Sequence, residues 1–176
     1  MNLDIGSGHL RSQTARGDVN IDVERPVIKP RNFVQADAHH LPFRSNLFEK
    51  TSFYEVIEHI ENPTKALEEA FRVLKLNGTV EMTTPNPWHW RKIFRVIRGK
   101  RIILSDTAHI AAWTPAEIEN LLINTGFRNI TIDFITLPYV RTHGSHPKLD
   151  KLAEKLFPKA VGMQNLRVRA RKCIKQ

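Results

Sequence analysis

Met1-Asn2-Leu3-Asp4-Ile5-Gly6-Ser7-Gly8-His9-Leu10 is the stretch that decides the fold. It is an apolar strand closing on a glycine turn. Glycine at a strand end lets the backbone take φ > 0 and lets a ligand come near where a Cβ would block it. In open α/β sheets the place just beyond the carboxyl end of the first strand is where ligands bind. Asp4 stands two residues before Gly6, and a second short strand, Val19-Asn20-Ile21, ends in Asp22. An acid at that second tip can accept two hydrogen bonds from a ribose diol.

Outward from this core the chain keeps alternating. Arg31 to Ala36 reads as a third strand with Asp37 at its tip, and Lys50 to Glu55 as a fourth. A helix follows, capped by Asn62 with Pro63 at its first position, where no N–H is needed. Its buried stripe is Ala66, Leu67, Ala70, Phe71 and Leu74, and Asn77-Gly78 ends it. Thr79 to Thr84 is the fifth strand. Residues 88–98 form a short basic amphipathic helix, with Trp90, Ile93, Phe94 and Ile97 on one side and Arg91, Lys92, Arg95 and Arg98 on the other. The capping box Thr114-Pro115-Ala116-Glu117 opens another helix, which Gly126 stops. Asn129 to Leu137 reads as a sixth strand, Lys148 to Phe157 as a helix, and Gln164 to Lys172 as a seventh strand with Leu166, Val168 and Ala170 inward.

A chain of 176 residues holds one domain with a single core. No stretch reaches the ~18 apolar residues of a membrane span. The N-terminus lacks the basic and apolar regions of a signal peptide. Cys173 is the lone cysteine, so no intrachain disulfide forms. These features point to the cytoplasm. The charge is less ordinary: 27 Lys and Arg against 18 Asp and Glu give +9. That balance favours anionic partners, although a solvated basic surface accounts for it equally well.

LDIGSG at 3–8, VNID at 19–22, QADAHHLPF at 35–43, FYEVIEHIENP at 53–63 and LKLNGTVEMTTPNP at 74–87 together resemble the motifs of class I S-adenosylmethionine-dependent methyltransferases, most closely the type 11 branch. The resemblance covers roughly residues 3–130, and five motifs in order and spacing are far more specific than any one of them. It implies an α/β, Rossmann-like seven-stranded methyltransferase sheet in three αβα layers, with the seventh strand antiparallel between the fifth and sixth. The segment from Gly8 to Asp22 is too short for the family's full helix, and Leu10 replaces its third glycine. The expected sheet therefore has its N-terminal helices reduced or missing and stands open on one side. One domain, 1–176, is implied, with 88–112 as an inserted acceptor-side or lid segment.

The resemblance also implies a site for S-adenosylmethionine, released as S-adenosylhomocysteine. Gly6, Ser7 and Gly8 would lie against the methionine part, with Asp4 toward its ammonium. Asp22 would take the ribose hydroxyls, Asp37 and Ala38 the adenine, and Glu55 would line the floor beneath the sulfur. Methyl transfer needs mainly in-line positioning. Where the acceptor is a hydroxyl or ammonium a base helps, and His59 is the first candidate and His109 the second. Glu55, Glu58 and His59, spaced i, i+3 and i+4, could with His109 meet on one cation, but the resemblance assigns the stretch no metal, and none is assigned from the sequence.

Competing readings are separable. A nicotinamide site wants G-x-G-x-x-G opening a helix, and here the sixth position is Arg11. The expected function is methyl transfer to a small-molecule acceptor, with a lipid- or sugar-linked intermediate among the choices. The second reading is a non-catalytic or RNA-methylating basic module that binds nucleic acid or an anionic membrane surface. Segment 88–101 is where an anionic partner would sit, and the open sheet side leaves room for a second copy of the chain. Binding to nucleic acid would weaken steeply with salt, whereas cofactor binding would not.

Overall fold

Short apolar runs ending in acids or glycines form the parallel half of one seven-stranded sheet. The computed structural model describes residues 1–7, 17–26, 32–100, 109–137 and 147–173. Gly8, residues 9–16, residues 101–108 of the acceptor-side segment and Lys175 of the basic tail lie outside them. Strands β1 (Asn2–Ile5), β2 (Val19–Asp22), β3 (Phe33–Gln35), β4 (Phe48–Tyr54) and β5 (Leu74–Pro85) pair in parallel. Strands β6 (Phe127–Ile135) and β7 (Asn165–Lys172) complete the sheet in the order β3-β2-β1-β4-β5-β7-β6. β7 runs antiparallel between β5 and β6, as the sequence motifs imply.

Leu3, Ile5, Ile21, Phe53, Val80, Met82, Leu166 and Val168 point to one face and are almost fully buried. Helices α1 (Pro63–Val73) and α3 (Pro115–Asn124) cover it with Ala66, Leu67, Ala70, Val73, Ile118 and Leu122. Asn62 caps α1 by accepting from Lys65 N–H at 3.0 Å, and the Thr114–Glu117 box on α3 is reciprocal. The opposite face is polar. Register puts Asp4 beside Asn20 and Ser52, Lys50 beside Thr79, and Glu81 beside Arg169 on that side. This face thus carries hydrogen-bonding side chains, of which Asp4, Asn20 and Ser52 are buried.

Several boundaries differ from the sequence reading. α1 stops at Val73 rather than at Asn77-Gly78: Leu74 turns extended, donates its N–H to Ala70 and pairs with Phe48 on β4. Asn77 takes its left-handed conformation (φ 64°) in the irregular stretch before the regular pairing resumes at Thr79. β6 begins at Phe127, directly after Gly126 (φ 98°), and is interrupted between Arg128 and Thr131, where Asn129 is left-handed.

Three basic residues of β7 are engaged within the fold. Arg167 pairs with Asp133 at 3.2 Å and Arg169 with Glu81 at 2.8 Å. Lys172 Nζ donates to the carbonyls of Phe71 and Leu74 and to Asn46.

The segment after β5 carries helix α2 (Trp90–Ile97), and α4 (Pro147–Leu156) and the single turn α5 (Lys159–Gly162) precede β7. Asn86, fully buried, ties these parts together: its Nδ2 donates to Ala160 and Met163 carbonyls and its Oδ1 accepts from Trp88 N–H. α2 presents the reverse of its expected faces. Arg91 pairs with the buried Asp150 of α4 at 2.9 Å, and Lys92 lies half-buried toward Glu55 and Glu58. Ile93, Phe94, Val96 and Ile97 are exposed, and Trp88 is 41% exposed, stacked on Phe134 rather than sunk in the core. Among the described residues no helix is long and apolar enough to cross a membrane.

Candidate functional site

The register brings the strand ends level. Ile5 neighbours both Ile21 and Phe53, so Gly6, Asp22 and Glu55 follow one another along the carboxyl edge of β2, β1 and β4. The turn after β1 is tied to β2, because the N–H groups of Gly6 and Ser7 and the Ser7 hydroxyl all donate to the Ile21 carbonyl at 2.9–3.2 Å. Gly6 has φ 78°, and a Cβ there would stand 2.4 Å from a Val56 methyl. The glycine thus serves the packing of Val56 as well as the turn. Gly17 answers a constraint that the sequence reading did not single out: a Cβ on it would meet the Asp4 nitrogen at 2.7 Å.

Asp22 is buried at the β2 tip, and its Oδ1 accepts from Glu24 N–H at 2.9 Å. Its neighbour on the edge is Asp37, past the end of β3. Asp37 Oδ1 takes the His39 N–H at 2.9 Å and lies 2.6 Å from His39 Nδ1. The His39 backbone N–H holds this carboxyl below its ordinary value, against the opposing effect of burial. Ala38 packs on the core beside it. Asp4 is 3% exposed and accepts from Ser52 Oγ at 2.7 Å.

Glu55 ends β4 with a left-handed backbone (φ 56°), held by its N–H to the Thr83 carbonyl at 3.0 Å and Oγ1 at 3.2 Å. This bend turns the chain out of the sheet into the 3₁₀ turn Ile57–His59. Asn165 Nδ2 donates to both Glu55 carboxylate oxygens, at 3.1 and 3.0 Å. Withdrawal from water pushes the Glu55 carboxyl up to about 7, even with the Thr83 and Asn165 hydrogen bonds opposing it. Asn165 was not legible as a site residue, because only the antiparallel insertion of β7 brings it, 110 positions away, to the end of β4.

Beyond Glu55 the fold gathers Glu58, His59 and His109. One donor atom from each lies within 4.8 Å of the others. The imidazoles of His59 and His109 meet edge to face with centroids 4.5 Å apart. His109 Nε2 is 3.9 Å from Glu58 Oε1. Both base candidates therefore sit in one cluster, a proximity that 50 intervening positions conceal. Glu58 is 1% exposed, and among the described residues neither of its carboxylate oxygens has a hydrogen-bond partner. Burial, then the charge of Glu55, raises its carboxyl well above the ordinary range, with the nearby Thr84 hydroxyl working the other way. Lys92 supplies the facing positive charge, and its own burial lowers its ammonium. His89, at the start of the same helix, is kept neutral: burial brings it down to about 4.

Comparison with known proteins agrees with this architecture. Residues 3–82 match the family model described as a methyltransferase domain, type 11. Over 72 residues the chain is 32% identical to 2-methyl-6-phytyl-1,4-hydroquinone methyltransferase 2, a chloroplast protein of Oryza sativa subsp. japonica; the match takes in 40% of this chain and 21% of that relative's length. The fold resembles that of a SAM-dependent methyltransferase from Archaeoglobus fulgidus (TM-score 0.66, 19% identity, 97% of this chain and 85% of that one). It also resembles phosphoethanolamine N-methyltransferase 2 of Haemonchus contortus, solved with S-adenosyl-L-methionine (TM-score 0.59, 17% identity, 99% of this chain and 48% of that one). The resemblance read from the five motifs is borne out as a resemblance: residues 3–82 match a methyltransferase-domain model, and the sheet has the fold of methyltransferases.

Proposed function

We propose that this chain transfers a methyl group from S-adenosylmethionine, by in-line displacement, to a small-molecule acceptor with a lipid- or sugar-linked part. One observation carries the reading: the carboxylates of Asp22, Asp37 and Glu55 and the Gly6 turn stand at successive strand ends on a single edge of a methyltransferase sheet. The donor set fits the cofactor. Carboxylates accept hydrogen bonds only, which suits the hydroxyls of a ribose at Asp22 and an amino group at Asp37. When bound, the cofactor supplies a methyl on a sulfonium, already a good leaving group.

The residues of this chain have the remaining tasks of holding, orienting and deprotonating. Gly6, Ser7 and Gly8 hold the methionine end, with Asp4, locked by Ser52, shaping the floor of the turn. Glu55, fixed by Asn165, lines the space beneath the transferred group. His59 receives the acceptor's proton on a ring nitrogen, and His109, packed against it, is the alternative base. Because Arg91 and Lys92 face inward, α2 offers the acceptor side four exposed apolar residues, which favours an acceptor with an apolar portion. The hydroquinone methyltransferase relative supports the same class of acceptor.

Incubation with methyl-labelled S-adenosylmethionine and separate pools of isoprenoid hydroquinones, soluble metabolites and RNA tests this reading. Label in either small-molecule pool is expected, and most strongly in the isoprenoid pool. Label confined to RNA would overturn the acceptor assignment.

A further inference from the structure

We infer that Glu58, His59 and His109 form a binding site for one divalent first-row transition-metal ion. The argument begins with Glu58. Its carboxylate is 1% exposed and, among the described residues, neither oxygen has a hydrogen-bond partner, although buried carboxylates are ordinarily neutralised, paired or bound to a metal. Two imidazoles face it. The donor atoms of the three side chains already lie within 4.8 Å of one another. Metal–ligand bonds of about 2.1 Å put donors of one coordination sphere roughly 3–4 Å apart, so an ion closes the cluster by a shift of under about 1 Å.

The backbone is built to hold the ligands together. Ile110 and Ala111 donate their N–H groups to the Glu58 carbonyl at 3.0 and 3.3 Å, which clamps the segment carrying His109 onto the 3₁₀ turn carrying Glu58 and His59. The His59 N–H is in turn satisfied by the Val56 carbonyl at 2.9 Å.

The donor chemistry selects the metal. Two imidazole nitrogens and one carboxylate oxygen suit zinc, manganese, iron or cobalt, whereas magnesium and calcium favour oxygen donors throughout. Three protein ligands leave coordination positions open, as in catalytic rather than structural sites. The inference takes its setting from the methyltransferase reading, in which the same histidines serve as bases. A ring nitrogen that holds a metal does not take a proton, so in the metal-loaded protein the ion itself would lower the pKa of a bound hydroxyl.

The test needs neither cofactor nor acceptor, which keeps its failure separate from failure of the methyltransferase assignment. Chelator-treated full-length protein is titrated with Zn²⁺, Mn²⁺ and, as control, Mg²⁺, with heat and the thermal unfolding midpoint as readouts. One saturable site for zinc or manganese is expected, with the midpoint raised. Glu58→Gln and His109→Gln should each weaken binding about tenfold or more, while His40→Ala, on an exposed histidine outside the cluster, leaves it unchanged. Should Glu58→Gln fail to fold by circular dichroism, the His109 variant decides. Absence of a one-to-one site, or affinity unchanged in the cluster variants, overturns the inference.

Discussion

Gly6 shows how one residue can be required twice. Its φ of 78° suits glycine, and its missing Cβ leaves the room that Val56 fills. Gly6→Ala should cost about 2–4 kcal/mol, combining left-handed strain with overpacking, as read from urea unfolding. An unchanged midpoint would remove the close approach from the account. Asp22 carries the cofactor prediction at the same scale. Asp22→Asn keeps an oxygen for the Glu24 N–H but loses the negative charge. It should weaken S-adenosylhomocysteine binding about ten- to a hundredfold, because hydrogen bonds to charged groups are worth about 1.5–3 kcal/mol, and should leave stability nearly unchanged. Gly6, Asp22 and Asp37 were legible because strand ends announce themselves in sequence. Asn165, and the meeting of His59 with His109, were not, since their proximity arises only when distant segments close on β4.

At the scale of elements, helix periodicity gave α2 its two faces but not their direction. The sequence pattern would bury the apolar side by default; instead the buried acids Asp150 and Glu58 and the half-buried Glu55 draw Arg91 and Lys92 inward. The polar face of the sheet has a comparable hub in Glu81. It accepts from Arg169 Nε at 2.8 Å and Tyr54 OH at 2.7 Å, with Lys50 Nζ at 3.3 Å, and so joins β4, β5 and β7. Burial works to raise this carboxyl, but Arg169, Tyr54 and Lys50 together hold it down to about 2. A folded value below the unfolded one, near 4.5, means that the unfolded chain binds more protons between these limits. The stabilisation is therefore complete above about pH 4.5 and is lost as pH falls toward 2. Urea midpoints of the protein and Glu81→Gln should differ most above pH 4.5 and converge as the solution is acidified. A difference independent of pH would show that the network contributes through packing alone.

The whole molecule was the most legible level. Seven strands were read from the sequence, the resemblance implied the antiparallel place of β7 between β5 and β6, and the structure has both. The polar character of the second sheet face had to be read from the register. Helix and strand ends moved by several residues where a tertiary pairing, such as Phe48 with Leu74, outweighed a local stop signal. The central claim is that this sheet edge binds a sulfonium nucleoside and not a dinucleotide. Calorimetric titration of the protein with S-adenosylmethionine and S-adenosylhomocysteine, with NADH as control, tests it most directly. Saturable one-to-one binding of both sulfur nucleosides, with no heat from NADH, is the predicted result; binding of NADH, or of none of the three, would contradict it.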